Sequence, residues 1–361
     1  MMKNLRIAVL PGDGIGPEVI SEAVIVLELL KKLDSSFTIE WDTFDWSSEY
    51  YLKYGKMMPE DGLETLKTYD AILFGAIGDK RVPDDVTIWE LIMPIRKCFN
   101  QYINLRPVKL LKGTPTRFAD EAIDFVIIRE NAEGEYSNSG GRLYPGLDQE
   151  VAVQNTIITR AGTAKAARFA FEYAEKHGKK TVTSATKSNA IVHSMKLWDE
   201  AVSQVAQDYP AINLQSYYID ALAAYFVSRP KDFEVVVASN LFGDILSDLG
   251  SAIVGGLGLS PSANLNPEGE FPSMFEPVHG SAPDIAGRGM ANPIAQIWST
   301  ALMLNHLGRE DLGALIIESI EEVLEKKEVR TPDLGGHATT SEMGSAIRNA
   351  LQQLLLVKEG R

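Results

Sequence analysis

Two aspartates lie four residues apart in the segment SNLFGDILSDLG, directly after the β-branched run FEVVVAS. Their spacing places the carboxylates of Asp244 and Asp248 on one face of a predicted helix. Like charges at this spacing repel unless a cation or an arginine lies between them. The surrounding leucine, isoleucine and phenylalanine residues argue against a plain solvated face. The pair is therefore a candidate site for Mg²⁺ or Mn²⁺, and Asp220, in YYIDALAAYF, is a further acidic residue among apolar ones.

Three arginines form a second candidate group. Arg96 and Arg106 lie in PIRKCFNQYINLRP, and Arg129 ends the apolar run DFVIIR. An arginine at the end of a buried strand is costly unless it meets an anion, and its guanidinium group suits bidentate binding of a carboxylate. A structural ion pair is the alternative for each arginine taken alone. In a chain of net charge -14, however, an anionic substrate requires a local cationic cluster of this kind.

Tyr136, in ENAEGEYSNSGG, and Lys187, in SATKSN, are candidates for proton transfer. Lys187 comes just after the predicted strand KTVTSA, at the edge where open α/β sheets bind ligands. A lysine with a lowered pKa can act as a base, and a tyrosine can deliver a proton. By themselves, the two residues are equally compatible with an ordinary surface.

The segment FEPVHGSAPDIAGRGMANP is too rich in glycine and proline for regular structure. It contains His279, Gly280 and Asp284. A loop that exposes backbone N–H groups beside a carboxylate can hold a dinucleotide, and the carboxylate can accept hydrogen bonds from a ribose 2′-hydroxyl. The same carboxylate would repel a 2′-phosphate, which favours NAD over NADP. Taken alone, His279 is compatible with an ordinary loop.

A glycine-rich turn, GDGIGPE, follows the apolar run LRIAVL near the start of the chain. It resembles a dinucleotide-binding fingerprint, but Pro17 occupies the position of the third glycine, and no second strand ends in an acidic residue about 20 positions on. We interpret the turn as the entry from a first strand to a first helix, with Asp13 available for capping. Its backbone can still border a nucleotide that is bound in another way.

Short β-branched runs alternate with helical patterns and predict an α/β fold. The predicted strands cover 5–10, 71–74, 124–129, 180–185 and 233–239, and the first helix covers 17–33. No linker rich in glycine, proline or serine divides the chain. If the chain forms two domains, it is therefore expected to cross between them more than once. A glycine-rich turn region and a β-like run occupy 135–160, which predicts either an arm that contacts a partner subunit or a surface hairpin.

The composition limits the possible classes of function. The net charge of -14 argues against a nucleic-acid partner or a basic membrane surface, because both need a positive field. Cys98 is the single cysteine, which excludes internal disulfides and multi-cysteine metal sites. No apolar run approaches the length of a signal peptide or a membrane span. The expectation is a cytoplasmic protein.

Taken together, the motifs resemble the isocitrate/isopropylmalate dehydrogenase family over essentially the full chain. The resemblance rests on LPGDGIGPEV, PIRKCFNQYINLRP, VIIRENAEGEY, SATKSN, SNLFGDILSD, FEPVHGSAPDIAGRGMANP and TPDLGGHATT. It implies an α/β fold of two domains that differs from the Rossmann fold. The first domain would comprise 1–101 and 256–361, and the second 102–255. An arm at 135–160 would interlock a homodimer with shared active sites.

The resemblance also implies roles for individual residues. Arg96, Arg106 and Arg129 would bind substrate carboxylates, Asp244 and Asp248 would bind the metal with Asp220 of the other subunit, Lys187 would act on the base side, and Tyr136 would be the acid. The implied contacts to NAD are Ile15, Ala76, Asn189, His279, Gly280, Ser281, Ala282, Asp284, Asn292 and Asp333. The implied ions are Mn²⁺ or Mg²⁺, with K⁺ as a monovalent partner.

Within the family, the chain is most similar to the branch that acts on tartrate and D-malate. This implies NAD-dependent oxidation and decarboxylation of a small 2-hydroxy diacid, such as conversion of D-malate to pyruvate and CO₂. Trp89 stands where isopropylmalate enzymes carry a glutamate, and its bulk suits a substrate with little or no substituent at C3. Ile92 and Met93 remain apolar, which keeps 3-isopropylmalate as an alternative. A non-catalytic regulatory member of the family is the alternative from another class.

Overall fold

The structure of the protein is a computed structural model that describes residues 4–34, 36–118 and 122–359. It divides into two compact units. The first comprises Met1–Gln101, Leu110–Glu121 and Ser251–Arg361, and the second comprises Tyr102–Lys109 and Ala122–Gly250. Leu110–Glu121 and residues 251–255, which the division expected from the sequence assigned to the second domain, lie in the first unit.

Strands and helices alternate along much of the chain. The strands are β1 (Asn4–Gly12), β2 (Thr38–Thr43), β3 (Ala71–Ala76), β4 (Ile103–Lys109), β5 (Asp124–Glu130), β6 (Gly140–Leu143), β7 (Val151–Gln154), β8 (Thr181–Thr186), β9 (Asn213–Tyr218), β10 (Val235–Ala238), β11 (Pro261–Leu265) and β12 (Ser273–Pro277). The helices are α1 (Gly16–Leu33), α2 (Ser48–Tyr54), α3 (Gly62–Leu66), α4 (Asp84–Thr87), α5 (Met93–Cys98), α6 (Arg160–Lys176), α7 (Ser194–Ala206), α8 (Ile219–Ser228), α9 (Asn240–Ile253), α10 (Ile294–His306), α11 (Glu310–Lys326) and α12 (Thr340–Glu359). Among these described helices, none has the length and apolar character needed to cross a membrane.

The first unit has a mixed sheet in the order β2-β1-β3-β12-β11. The pairs β1/β2, β1/β3 and β3/β12 are parallel, and β11/β12 is antiparallel. The strand β3 is buried along its whole length, as expected for a strand covered on both faces. The order and the antiparallel pair distinguish this sheet from the all-parallel Rossmann arrangement.

The second unit has its own strand order, β4-β5-β10-β8-β9. Antiparallel pairing joins β4 to β5, and the other neighbours are parallel. The strand β10, with the sequence VVVA, is fully buried and leads directly into α9. The carboxyl ends of the parallel strands β5, β8 and β10 therefore precede the segments that carry Tyr136, Lys187 and Asp244.

The predicted regular elements are confirmed. The predicted strands correspond to β1, β3, β5, β8 and β10, and the first helix begins at Gly16, one residue before the predicted start. Pro17 lies in its first turn, where the missing N–H of proline costs no helical hydrogen bond. The β character of 135–160 is also confirmed, because β6 and β7 form an antiparallel hairpin.

The turn GDGIGPE is the entry to α1, as predicted, but the expectation that Asp13 is available for capping is wrong. The helix begins without a side-chain cap. The Asp13 carboxylate instead accepts hydrogen bonds from the Ser48 backbone N–H (2.9 Å), the Ser48 hydroxyl (2.6 Å) and the Gly78 N–H (2.9 Å). The hydrogen-bond donors to Asp13 are therefore residues distant in the sequence, and not the N–H groups at the start of α1. The carboxylate links three segments of the first unit.

A second buried carboxylate shapes the turn that follows β5. Glu130 is 4% exposed, and its two oxygens accept hydrogen bonds from the backbone N–H groups of Ala132 (2.8 Å) and Glu133 (3.0 Å). Burial raises the pKa of Glu130 to about 7, although the two backbone donors act in the opposite direction. The turn therefore closes around a carboxyl group that is about half protonated near pH 7.

Replacement of Asp13 by alanine is expected to lower the free energy of unfolding by about 3 kcal/mol, because two buried donors of Ser48 and the partly buried N–H of Gly78 lose their acceptor. Urea titration measures this difference. Asp61→Ala is the matched control, since Asp61 is exposed and its side chain makes no capping hydrogen bond. Equal stabilities of the two variants would contradict the role given to Asp13.

Replacement of Glu130 by glutamine is expected to flatten the dependence of stability on pH. Because the native pKa is raised, folded protein keeps a proton that unfolded protein releases. The free energy of unfolding of the wild type must therefore fall as the pH rises toward the native pKa. Between about pH 5 and about pH 8 the wild type should lose roughly 2 kcal/mol more than Glu130→Gln.

Urea titrations at fixed protein concentration across this pH range measure the slope. Glu40→Gln, at an exposed position, is the matched control and should keep the wild-type slope. Parallel slopes for the wild type and Glu130→Gln would refute the assignment.

Candidate active site

Two arginines and a tyrosine converge on Asp244 in the second unit. One carboxylate oxygen of Asp244 accepts hydrogen bonds from Nη1 of Arg106 (3.1 Å) and Nη1 of Arg129 (2.6 Å). The other oxygen accepts a hydrogen bond from the Tyr136 hydroxyl (3.1 Å). The structure thus brings together four residues that the sequence selected separately.

The positions of these side chains follow from the strand pairing. Arg106 lies on β4 and Arg129 on the antiparallel neighbour β5, while Asp244 lies in α9, which follows β10 on the other side of β5. The side chains of Arg106 and Arg129 are only 8% and 4% exposed. Guanidinium groups this buried need counter-charges or hydrogen-bond acceptors. Asp244 is a counter-charge and a hydrogen-bond acceptor for both arginines.

Helix α9 can approach β5 closely because residue 243 is glycine. A Cβ atom at Gly243 would lie 2.7 Å from the Cβ of Arg129. Atoms this near the backbone cannot move aside as the end of a flexible side chain can. The glycine in SNLFGDILSD therefore makes room for the stem of Arg129, one residue before Asp244.

Two buried asparagines, which our reading of the sequence missed, hold the same arginines. The Asn240 side-chain oxygen accepts hydrogen bonds from Nε (3.0 Å) and Nη2 (2.7 Å) of Arg129, and the Asn104 oxygen accepts one from Nε of Arg106 (2.6 Å). Ser247 also accepts a hydrogen bond from Arg106. Helical periodicity could have drawn attention to Asn240, which precedes Asp244 by one turn.

Asp248, one helical turn beyond Asp244, is more exposed. Its carboxylate lies 3.9 Å from Nη1 of Arg106, and burial raises its pKa despite that arginine. Asp244 and Asp248 offer oxygen donors, which suit Mg²⁺ or Mn²⁺. Within the described ranges, no three acidic, histidine or cysteine side chains are grouped to hold a metal ion. Asp220 of the same chain therefore does not complete the pair.

Tyr136 lies in a short 3-10 turn, Glu135–Ser137, after the turn organised by Glu130. Burial raises the pKa of the Tyr136 hydroxyl, and the nearby Asp244 carboxylate raises it further. The guanidinium of Arg129 lies 5.6 Å from the centre of the Tyr136 ring. The phenol therefore keeps its proton at neutral pH and is suited to donate it.

Lys187 and Asp220 contact each other. Lys187 follows β8, and its Nζ atom lies 2.7 Å from the carboxylate of Asp220 in the first turn of α8. The hydrogen bond from Lys187 lowers the pKa of Asp220. Tyr218, directly before α8, places its ring 5.6 Å from the same ammonium group. Lys187 and Asp220 therefore form an ion pair within one chain.

Arg96 lies in the first unit, on α5. It donates a hydrogen bond to the Glu276 carboxylate (2.8 Å), which also accepts one from Asn264 (2.7 Å). Trp89 and Ile92 are half-buried in the π-helical turn before α5, and Lys97 stacks on the Trp89 ring at 4.8 Å. Met93 is buried at 5% exposure.

The predicted cofactor residues of the first unit lie around the loop after β12. The Ile15 N–H donates to the Ser281 carbonyl (2.9 Å), and the Ile15 side chain packs with Ala282. Ala76 ends β3, and its carbonyl accepts the Asp13 N–H (2.8 Å). The turn GDGIGPE is therefore fixed against both Ala76 and the loop that contains Ser281.

Polar groups lie along the same loop. Asp284 is largely exposed and forms an ion pair with Lys80 (3.0 Å), while Asn292 donates to Asp333 (3.0 Å). Burial lowers the pKa of His279, next to Gly280, so its imidazole is neutral near pH 7. Exposed backbone, a carboxylate and neutral donors suit an adenosine ribose. Asn189 belongs to the second unit, where it lies in the exposed turn after β8.

Comparison with known proteins agrees with this arrangement. The family model described as isocitrate/isopropylmalate dehydrogenase matches residues 6–347. The D-malate dehydrogenase [decarboxylating] of Escherichia coli (strain K12) is 50% identical over 96% of this chain and 98% of that protein. The tartrate dehydrogenase/decarboxylase of Pseudomonas putida is 49% identical over 97% and 99%. The crystal structure of isocitrate dehydrogenase from Methylococcus capsulatus superposes with a TM-score of 0.89 at 34% identity, covering 97% of this chain and 100% of that chain.

The match extends over nearly the whole chain in both the sequence and the structural comparisons, and residues 6–347, which the family model matches, include every residue of the candidate site. It confirms the resemblance and the two-domain α/β fold expected from the motifs. The chain belongs to the isocitrate/isopropylmalate dehydrogenase family and is a decarboxylating dehydrogenase.

Proposed function

We propose that this protein catalyses the NAD-dependent oxidative decarboxylation of D-malate to pyruvate and CO₂, and the oxidation of tartrates with or without decarboxylation. The observation that carries the proposal is the convergence of Arg106, Arg129 and Tyr136 on Asp244. A small dicarboxylate needs cationic groups for its carboxylates, and the chemistry needs a proton donor beside them. Relatives named for tartrate and D-malate support this choice of substrates.

Arg106 and Arg129 would bind a carboxylate of the substrate. Both guanidinium groups are buried, so their interaction with an anion is weakly screened by solvent and salt. Arg96, held by Glu276 in the first unit, would bind a carboxylate in the same way. The planar guanidinium matches the two oxygens of a carboxylate, which fixes the orientation of the substrate.

Asp244 and Asp248, with Asp220 of a second subunit, would hold Mn²⁺ or Mg²⁺. The donor set fits, because all three side chains offer carboxylate oxygens and the pair in α9 lies on one helical face. When bound, the metal supplies Lewis-acid stabilisation of negative charge on the substrate. The loop 279–284, with Ile15, Asn292 and Asp333, would bind NAD, which supplies the acceptor for the hydride from C2.

Lys187 and Tyr136 would move the protons. Lys187, as the neutral amine, would accept the proton of the C2 hydroxyl as the alcohol is oxidised to a ketone. After CO₂ leaves, Tyr136 would protonate C3, since burial and Asp244 keep its own proton in place. The overall reaction converts D-malate and NAD into pyruvate, CO₂ and NADH.

The proposed metal ligands come from two subunits, Asp244 and Asp248 from one and Asp220 from the other. A homodimer with shared active sites accounts for this division. The hairpin formed by β6 and β7 is exposed along both strands, yet it carries apolar side chains. Leu143, Leu147 and Val153 are about half exposed or more, at 61%, 55% and 49%. Apolar surface of this kind is stabilised by contact with a partner, and a second copy would bring Lys187 and Asp220 to the site.

The half-buried Trp89 favours a substrate with little substituent at C3, while Ile92 is compatible with an isopropyl group. We therefore expect kcat/KM for D-malate or L-tartrate to exceed that for 3-isopropylmalate by at least about tenfold. NADH formation with Mn²⁺ and K⁺ present measures all three substrates. A higher kcat/KM for 3-isopropylmalate would contradict the proposal and identify the alternative.

In the same assay Asp244→Asn should lose at least about a hundredfold in kcat/KM, because a metal ligand and the counter-charge of two arginines are weakened together. Asp61→Asn, at an exposed position, is the matched control. Omission of Mn²⁺ and of K⁺ in separate reactions tests each ion. An active Asp244→Asn variant would rule out the role assigned to this carboxylate.

Asp284→Ala is expected to weaken NAD binding about tenfold and to reduce discrimination against NADP, because the carboxylate accepts the ribose 2′-hydroxyl and repels a 2′-phosphate. KM values for the two cofactors measure both effects. Lys80→Ala removes the ion-pair partner but leaves the carboxylate in place, so it should retain the preference for NAD. A wild-type preference for NADP would overturn this assignment.

A further inference from the structure

The two buried arginines of the second unit are held in the same unusual way. Each donates its Nε hydrogen to the side-chain oxygen of an asparagine, Arg106 to Asn104 and Arg129 to Asn240. Both asparagines are buried, at 0% and 2% exposure. Neutral amide oxygens therefore fix the guanidinium edges that face away from the shared carboxylate of Asp244.

Among the described residues, three half-buried arginines are held by carboxylates, whereas the half-buried Arg330 donates to the Gly113 carbonyl. Arg96 pairs with Glu276, Arg309 with Asp34, and Arg348 with Glu22. A carboxylate orients a guanidinium group but also neutralises it. An amide oxygen orients the group and leaves its charge in place.

We propose that Asn104 and Asn240 are positioning residues that orient Arg106 and Arg129 without consuming their positive charge. Asp244 contacts both guanidinium groups and Asp248 lies 3.9 Å from Arg106, so a neutral amide at the Nε edges adds no further negative charge where an anionic substrate would bind. The inference rests on the proposed function, since the anion is the dicarboxylate substrate.

Asn240 has a second contact that fixes the direction of its amide. Its Nδ2 atom donates to the Glu133 carbonyl (2.9 Å), in the segment that leads to Tyr136. The oxygen must then point to Arg129, because the nitrogen has no capacity to accept its hydrogens. Asn104 lies on β4 directly opposite Arg129, and its oxygen accepts from Nε of Arg106.

Isosteric replacement by aspartate separates orientation from charge. Asn104→Asp and Asn240→Asp keep an oxygen at the same place and bind the guanidinium more strongly, so a merely structural role predicts an unchanged KM. We expect instead that each raises the KM for D-malate at least about tenfold, with Tm within a few degrees of the wild type. Asn213→Asp adds the same charge at an exposed position and should keep the wild-type KM.

A wild-type KM in both aspartate variants would overturn the inference. If these variants do not fold, as judged by circular dichroism, a double-mutant cycle decides. Asn240→Ala should raise the KM about tenfold in the wild type but less than about threefold in an Arg129→Lys background, since its effect passes through the arginine. Additive effects on KM would also overturn it.

Calorimetric binding of D-malate with Mg²⁺ separates the inference from the proposed function. A wild type that binds D-malate without turnover would contradict the proposed reaction. The Kd values of the aspartate variants would then test the asparagines, with an increase of at least about tenfold supporting the inference and no increase overturning it. A wild type that binds none of D-malate, L-tartrate and 3-isopropylmalate would overturn both.

Discussion

The burial of two guanidinium charges beside one carboxylate constrains the surrounding structure. Removing an arginine side chain from water costs several kcal/mol unless charge and hydrogen bonds replace the solvent. Arg106 and Arg129 are both in this position, and Asp244 contacts both. Gly243 admits the stem of Arg129, Ser247 accepts from Arg106, and an asparagine accepts from each arginine. Under the proposed function, the substrate carboxylate is a further partner of these guanidinium groups.

The strand register brings these groups together. Side chains two residues apart on a strand share a face, so Asn104 and Arg106 lie on the same side of β4. Asn104 is directly opposite Arg129 on β5, which puts the two arginines on a common face. The next strand, β10, leads into α9 and thereby supplies Asp244. Residues separated by more than 100 positions in the sequence thus meet because β4, β5 and β10 are neighbours.

The sequence predicts the parts of this site that leave a local signal. The spacing of apolar residues is sufficient to predict the strands and the first helix. The four-residue spacing of Asp244 and Asp248 is sufficient to predict that they share one face of a helix. The resemblance supplied the roles of Lys187 and Tyr136, which no pattern identifies by itself. Asn104 was missed because its partners are set by strand register, which leaves no local signal, whereas Asn240 was missed although it precedes Asp244 by one helical turn. Asp13 was assigned to the wrong partner, because local capping rules do not include the donors of Ser48 and Gly78.

The acidic composition of the chain and the cationic site are compatible because they act over different distances. Exposed charges are screened over roughly 8 Å at physiological ionic strength, so the surface acts weakly on a ligand inside the site. The buried pair of arginines is screened far less and acts at contact distance. A net charge of -14 therefore slows the approach of a dianion more than it weakens the bound state. Affinity then depends on how much arginine charge the immediate neighbours leave available, and under the inference above the neutral asparagines leave that charge in place.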